Sequence, residues 1–350
     1  MILCPARLEP IFSPRPWGSL SLAPFFPEQS NLAEPLGEAW MTGNECRFAN
    51  GPFERTLLGD AWPEMPPEWI GTLARGYDRI PILVKFIFTE QKLSVQVHPD
   101  DAYASAHEKA AGGRGKTEMW YALRARPGTE VMVGLRPGAT KEKFQRAIQD
   151  GTAEDWLEHV RLQAGDAVFV PAGTAHTIGP GLVLCEIQEH SDLTYRVFDY
   201  NRRDAHGKSR ELHVEKALDV MRFGEQRGGK ITPARMDRGG WVETYFAACR
   251  YFATAKWEFS KPLAAASSRE HFDLLIFLDG RGSIRWGTNR IDYAPMQTWM
   301  LPAALGAYEL TPDSPTALLR AFVPGDLDEF ARLLADQGVP QAALRAMVHR

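Results

Sequence analysis

The sequence is poor in the residues that would place it in several large functional classes. Cysteine occurs four times in 350 residues, as Cys4, Cys46, Cys185 and Cys249. None has the paired spacing of a disulfide framework or a cysteine-based zinc knuckle, so the four read as reduced thiols, several of them buried. Basic residues are not in excess: 40 Lys and Arg stand against 44 Asp and Glu, a formal net charge of −4. Without clustered Lys and Arg there is no electrostatic footprint for nucleic acid. No run approaches 18 apolar residues, and the start, MILCPARLEPIF, has no signal-peptide core. These absences point to a cytoplasmic protein that uses neither nucleic acid nor membrane, and nothing implies an obligate protein partner. Histidine is scarce too, with nine copies, so any imidazole metal site draws on a short list.

Glycine and proline are plentiful, at 30 and 25 residues. They cut the chain into turns and short strands and exclude a helical bundle, while the length suggests about two domains. Residues 1–60 read as irregular strands and turns packed on a later core. Pro81 to Glu90 is a nearly continuous apolar strand. Lys92 to His98, KLSVQVH, alternates, so Leu93, Val95 and Val97 are expected on one face and Ser94, Gln96 and His98 on the other. Asp100 to Ala111 and Thr140 to Val160 read as helical interruptions, followed by strands over Gly165–Val170, Leu182–Gln188 and Thr194–Tyr200 and a helix over Glu211–Phe223. The polar, Gly-rich stretch from Arg222 to Gly240 marks a boundary. Strands resume beyond it, and Leu327 to Val348 is helical. The expected division is 1–235 and 236–350.

The strongest chemical signal is GDAVFVPAGTAH, Gly165 to His176. A strand runs into a Pro-Gly turn that presents His176, a spacing that resembles the second sequence motif of cupins, small β-barrels that hold a metal in their mouth. Gln96 and His98, two apart on a strand, leave the same face. Glu118 follows in a second strand and His176 in a third. Two imidazoles, a carboxylate and an amide suit Zn²⁺ or another borderline divalent ion. His107, His159 and His349 read as surface residues. Asp100 and Asp101 read as a helix-capping pair.

LSVQVHPDD (93–101), GKTEMWYAL (115–123), GDAVFVPAGTAHTIG (165–179), EIQEHSDLTYRVFDY (186–200) and, more weakly, RPWGS (15–19) and LGEAW (36–40) follow one another in an order that resembles type I phosphomannose isomerases. The resemblance implies a mainly β fold of two cupin-type (jelly-roll) β-barrels, with short helical insertions and a C-terminal helix. It implies one zinc ion per chain on Gln96, His98, Glu118 and His176. It also implies a sugar-phosphate substrate lined by Ser94, Lys85, Lys116 and Arg196, interconverted between mannose 6-phosphate and fructose 6-phosphate through a cis-enediol. Such an isomerase needs a positioned base, an electrophile for the enediolate and a phosphate clamp. Arg196, Lys116 and Glu186 are the catalytic candidates, with the base open between Glu186 and Lys116. A non-catalytic sugar-phosphate-binding cupin is the alternative. The second half resembles a cupin without its metal: the turn 301–306, LPAALG, carries no histidine. Only 57 residues separate Glu118 from His176, too few for the large helical insertion of longer family members.

Overall fold

The computed structural model describes residues 1–203, 207–225 and 228–350. Asp204, at the end of the segment VFDYNRRD, and part of the boundary stretch 222–240 lie outside the described residues. The chain is mainly β and forms two large antiparallel sheets of seven strands, each packed against a smaller one.

In the first half the large sheet runs Gly229–Lys230, Ala167–Val170, Glu118–Ala125, Leu182–Glu189, Ile82–Phe88, Leu36–Trp40, Ile11–Ser19. Its partner is a five-stranded sheet in the order Tyr195–Phe198, Val95–Val97, His176–Ile178, Glu130–Leu135, Leu157–Arg161. Ile87, Trp120, Val168 and Leu184 of the large sheet interlock with Val131, Val133 and Ile178 of the small one. In the second half, strands between Ala234 and Phe322 repeat the arrangement, with a four-stranded sheet opposite.

The two large sheets also pack back to back. Ile82, Val84, Phe86 and Phe88 share a core with Leu274, Ile276, Leu319 and Ala321 of the second half, while Leu83, Lys85 and Ile87 point the other way. Both faces of this strand are therefore buried, which is why it reads as one apolar run. The first strand crosses over: Ala6–Leu8 pairs with Thr298–Met300 and edges the second half's large sheet.

Several sequence expectations need correction. Residues 11–40 are less irregular than expected, since Ile11–Ser19 and Leu36–Trp40 extend the first half's large sheet. The helix expected over 140–160 stops at Asp150; a 3₁₀ turn follows, then the edge strand Leu157–Arg161. Leu93 does not join Val95 and Val97, because regular pairing begins only at Val95; it packs in the interior core instead. Asp100 caps the helix Asp101–His107 by accepting from the Tyr103 N–H, but Asp101 is engaged elsewhere. His349 is not a free surface residue: its ring stacks on Phe169 at 3.7 Å. No helix among the described residues is long and apolar enough to cross a membrane.

Candidate active site

Strand register builds the site. Gln96 lies opposite His176 on one neighbouring strand and opposite Arg196 on the other, so one row of the small sheet reads His176, Gln96, Arg196. In the large sheet Glu186 lies opposite both Trp120 and Lys85, and Lys85 opposite Trp40. Cross-strand partners project to the same face. The two sets of side chains line a cavity of about 440 Å³ that includes Ser94, Gln96, Lys85, Lys116, Glu186 and Arg196. Turns then set the remaining groups: the Gly173 N–H donates to the His98 carbonyl at 2.8 Å, locking the loop before His176 onto the end of the His98 strand.

His98, Glu118 and His176 are fully buried and place their ligating atoms within 4.8 Å of one another. His98 Nδ1 lies 2.8 Å from the Leu193 carbonyl and His176 Nδ1 2.9 Å from that of Thr174. Each Nδ1–H therefore donates to backbone, which leaves an Nε2 lone pair facing inward. Burial, the largest cause, holds His98 well below the usual histidine range and His176 at about 4, so both rings are neutral. These lone pairs lie 3.7 and 3.3 Å from Glu118 Oε1. Neither His98 Nε2 nor Glu118 Oε1 has a hydrogen-bond partner. Electron-rich atoms converging without a proton between them fit a divalent cation, and two imidazoles with one carboxylate match a zinc donor set with an open position. Gln96 completes the group, with its amide 3.2 Å from His176 Nε2; a half-turn about its last torsion exchanges nitrogen for oxygen there.

Lys116 Nζ sits 2.9 Å from Glu118 Oε2 and 3.8 Å from Glu186 Oε1. Burial works against its ammonium, but Glu118, Glu186 and Asp192 outweigh it and keep the amine charged. Glu186 is pushed up to about 7, first by burial and then by Glu118, against the pull of Lys116 and Lys85. Trp120 Nε1 donates to Glu186 Oε1 at 3.2 Å. Lys85 is buried, stacked 3.9 Å from the centre of the Trp40 ring, and paired with Asp192 at 2.7 Å. Arg196 Nε donates to Ser94 Oγ at 3.2 Å.

All nine sequence-derived candidates thus meet around one cavity and its buried floor. Sequence reasoning missed Arg15, Glu38, Asp192, Arg210 and His213, which also line it. The first three lie inside the quoted segments RPWGS, LGEAW and EIQEHSDLTYRVFDY and were open to discovery there; Arg210 and His213 carry no sequence signal. In the second half the strand Asp273–Asp279 holds the place of Glu118–Ala125, third in its sheet with equivalent neighbours. Asp273 begins that strand as Glu118 begins the other, but Arg320 stands where Glu186 would be and binds Asp273 at 2.9 Å. A guanidinium at that point repels a second cation, and among the described residues only the first half has a metal-holding group.

Residues 6–134 match the family model of the type I phosphomannose isomerase catalytic domain. The chain is 33% identical over 310 residues to mannose-6-phosphate isomerase ManA of Bacillus subtilis, covering 87% of this chain and 95% of that one. It is 34% identical over 233 residues to mannose-6-phosphate isomerase of Streptococcus mutans, covering 67% and 72%. The crystal structure of the Bacillus subtilis mannose 6-phosphate isomerase superposes with a TM-score of 0.82 at 28% identity, over 91% of this chain and 99% of that one. A zinc-bound mannose 6-phosphate isomerase shares the fold at a TM-score of 0.72 and 17% identity, over 91% of this chain and 99% of that one. With its motifs in register, its cavity assembled and 95% of the Bacillus subtilis relative covered at 33% identity, the chain belongs to the type I phosphomannose isomerase family.

Proposed function

We propose that the chain interconverts mannose 6-phosphate and fructose 6-phosphate, with Gln96, His98, Glu118 and His176 holding one zinc ion. The observation that carries this is the convergence of buried His98, His176 and Glu118 beside the cavity lined by Lys116, Glu186 and Arg196. Bound zinc would supply Lewis-acid polarisation of the sugar oxygens and a template for their orientation.

The remaining chemistry falls to the chain's own groups. Aldose–ketose isomerisation takes a proton from C2 while O1 gains one, giving a cis-enediol, then returns a proton to C1 while the O2 hydroxyl gives up its own. Glu186 suits the base: Trp120 occupies Oε1 and orients the carboxylate, leaving Oε2 to take the C2 proton. Lys116, lodged between two carboxylates, serves better as a fixed positive charge beside the developing enediolate. Arg196 presents a planar fork to phosphate or enediolate oxygens, steadied by Ser94, with Lys85 adding positive charge to the cavity. We further read the chain as two domains, 1–235 catalytic and 236–350 metal-free, with the first strand lent to the second. It would act in the cytoplasm on a small sugar phosphate.

Incubating the zinc-loaded protein with mannose 6-phosphate in deuterated water tests this. Fructose 6-phosphate carrying solvent deuterium is expected. Binding without turnover at full zinc occupancy would overturn the isomerase assignment in favour of a binding protein.

A further inference from the structure

Beside the site lies an acid pair, Glu189 buried and Asp101 half-buried, that the mechanism above does not use. Glu189 ends the strand Leu182–Glu189, three residues after Glu186, and Asp101 opens a helix three residues after His98. Their carboxyl groups lie against each other. Asp101 Oδ1 also accepts the Gly115 N–H at 3.0 Å, and Oδ2 accepts the Tyr251 hydroxyl at 2.8 Å. Tyr251 comes from the second half, in the turn between the strands Trp241–Ala248 and Ala253–Phe259. The two halves therefore touch through a hydrogen bond to a side chain that holds the backbone just before Lys116.

That backbone has little freedom. A Cβ on Gly115 would lie 2.6 Å from the Asp100 carbonyl carbon and the Asp101 nitrogen, so the two segments are in direct contact. The Lys116 N–H donates to the Pro99 carbonyl at 3.0 Å, and the Glu189 N–H donates to the Thr117 carbonyl at 3.0 Å. Residues 115–117 are thus tied to Pro99, Asp101 and Glu189, and the Lys116 ammonium reaches Glu118 from this frame.

A buried carboxyl against a half-buried one disfavours the state in which both are charged, and one proton between them is favoured. Burial and then Asp101 push Glu189 up to about 10, while Glu189 and the hydrogen bonds from Gly115 and Tyr251 hold Asp101 low despite burial. Glu189 thus holds that proton. Arg114, Arg250, Tyr77 and Tyr251 also face the pair.

We propose that Asp101, Glu189 and Tyr251 act together as positioning residues for the isomerisation, clamping residues 115–117 so that Lys116 meets the reacting sugar, and that the metal-free half supports the chemistry of the other through Tyr251. This rests on the isomerase assignment above. None of the three touches substrate; they act through Lys116.

The test compares Tyr251→Phe, Glu189→Ala and Glu189→Gln, each loaded with zinc. Tyr251→Phe deletes one hydroxyl and should lower kcat roughly tenfold with KM and zinc content unchanged, the scale of losing an outer hydrogen bond that orients a site group. Glu189→Ala should fall similarly, whereas Glu189→Gln, whose amide still donates to Asp101, should keep the wild-type kcat. Unchanged kcat in Tyr251→Phe, or a Gln variant as impaired as the Ala variant, overturns the proposal. If the wild-type protein turns over no sugar phosphate, the isomerase assignment is what fails. The clamp is then judged by amide hydrogen exchange at Gly115, which must quicken in Tyr251→Phe; exchange unchanged from wild type overturns it.

Discussion

At the residue scale, the ligand set and the phosphate-facing groups make separable contributions. His176→Ala removes one of three converging donors, so zinc content and activity should disappear together. Arg196→Ala leaves those donors intact; metal analysis should find full zinc, while kcat/KM falls by about 10²-fold or more, the scale of removing a charge-assisted contact of about 3 kcal/mol. Near-normal rates in both variants would refute the assignment. His98 and His176 were legible in the sequence because a strand's two-residue period and a Pro-Gly turn fix where their side chains go. Arg210 was not, because it is held against the cavity by its pair with Asp199, a tertiary fact with no local pattern.

At the element scale, turns do more to set the site than strand propensity does. Gly173 adopts φ +81°, and a Cβ there would meet the Val220 carbonyl oxygen at 2.8 Å and Arg222 Cγ at 2.8 Å. Its N–H also holds His98. Gly173→Ala should therefore cost about 2–4 kcal/mol, combining a left-handed backbone with overpacking, and should weaken zinc binding; urea melts and metal titration would show both. The misread segment 140–160 has an equally local origin. Trp156, Leu157 and Val160 carry helix-like spacing, but Leu157–Arg161 is an edge strand whose burial alternates, and pairing with Glu130–Leu135 decides its conformation. Propensity yields to tertiary pairing there. The strand Ile11–Ser19 was obscured by Pro14 and Pro16, which an edge position tolerates.

At the scale of the whole molecule, the proton held between Glu189 and Asp101 couples stability to pH. The folded Glu189 has its pKa raised to about 10, far above its unfolded value. The folded state therefore holds a proton that the unfolded chain has released, and stability falls as pH rises from about 5 to 10, by at most about 1.4 kcal/mol per pH unit. Glu189→Gln removes this slope. Urea unfolding at pH 6 and pH 9 should show the wild type losing stability relative to the variant, and parallel pH dependences would contradict the shared proton. The mainly β character was legible from the density of glycine and proline turns. The back-to-back contact of the large sheets was not, since Ile82–Phe88 shows only that both its faces are buried.

The first strand carries a consequence for how the molecule is made. Ala6–Leu8 is synthesised nearly 300 residues before its partner Thr298–Met300. At 5–20 residues per second it waits roughly 15 to 60 s for that partner. During that interval the sheet edge it will cover does not exist, and a nascent chain interrupted before residue 300 presents Ala6–Leu8 as an unpaired strand. Completion of the last sheet is what secures this strand.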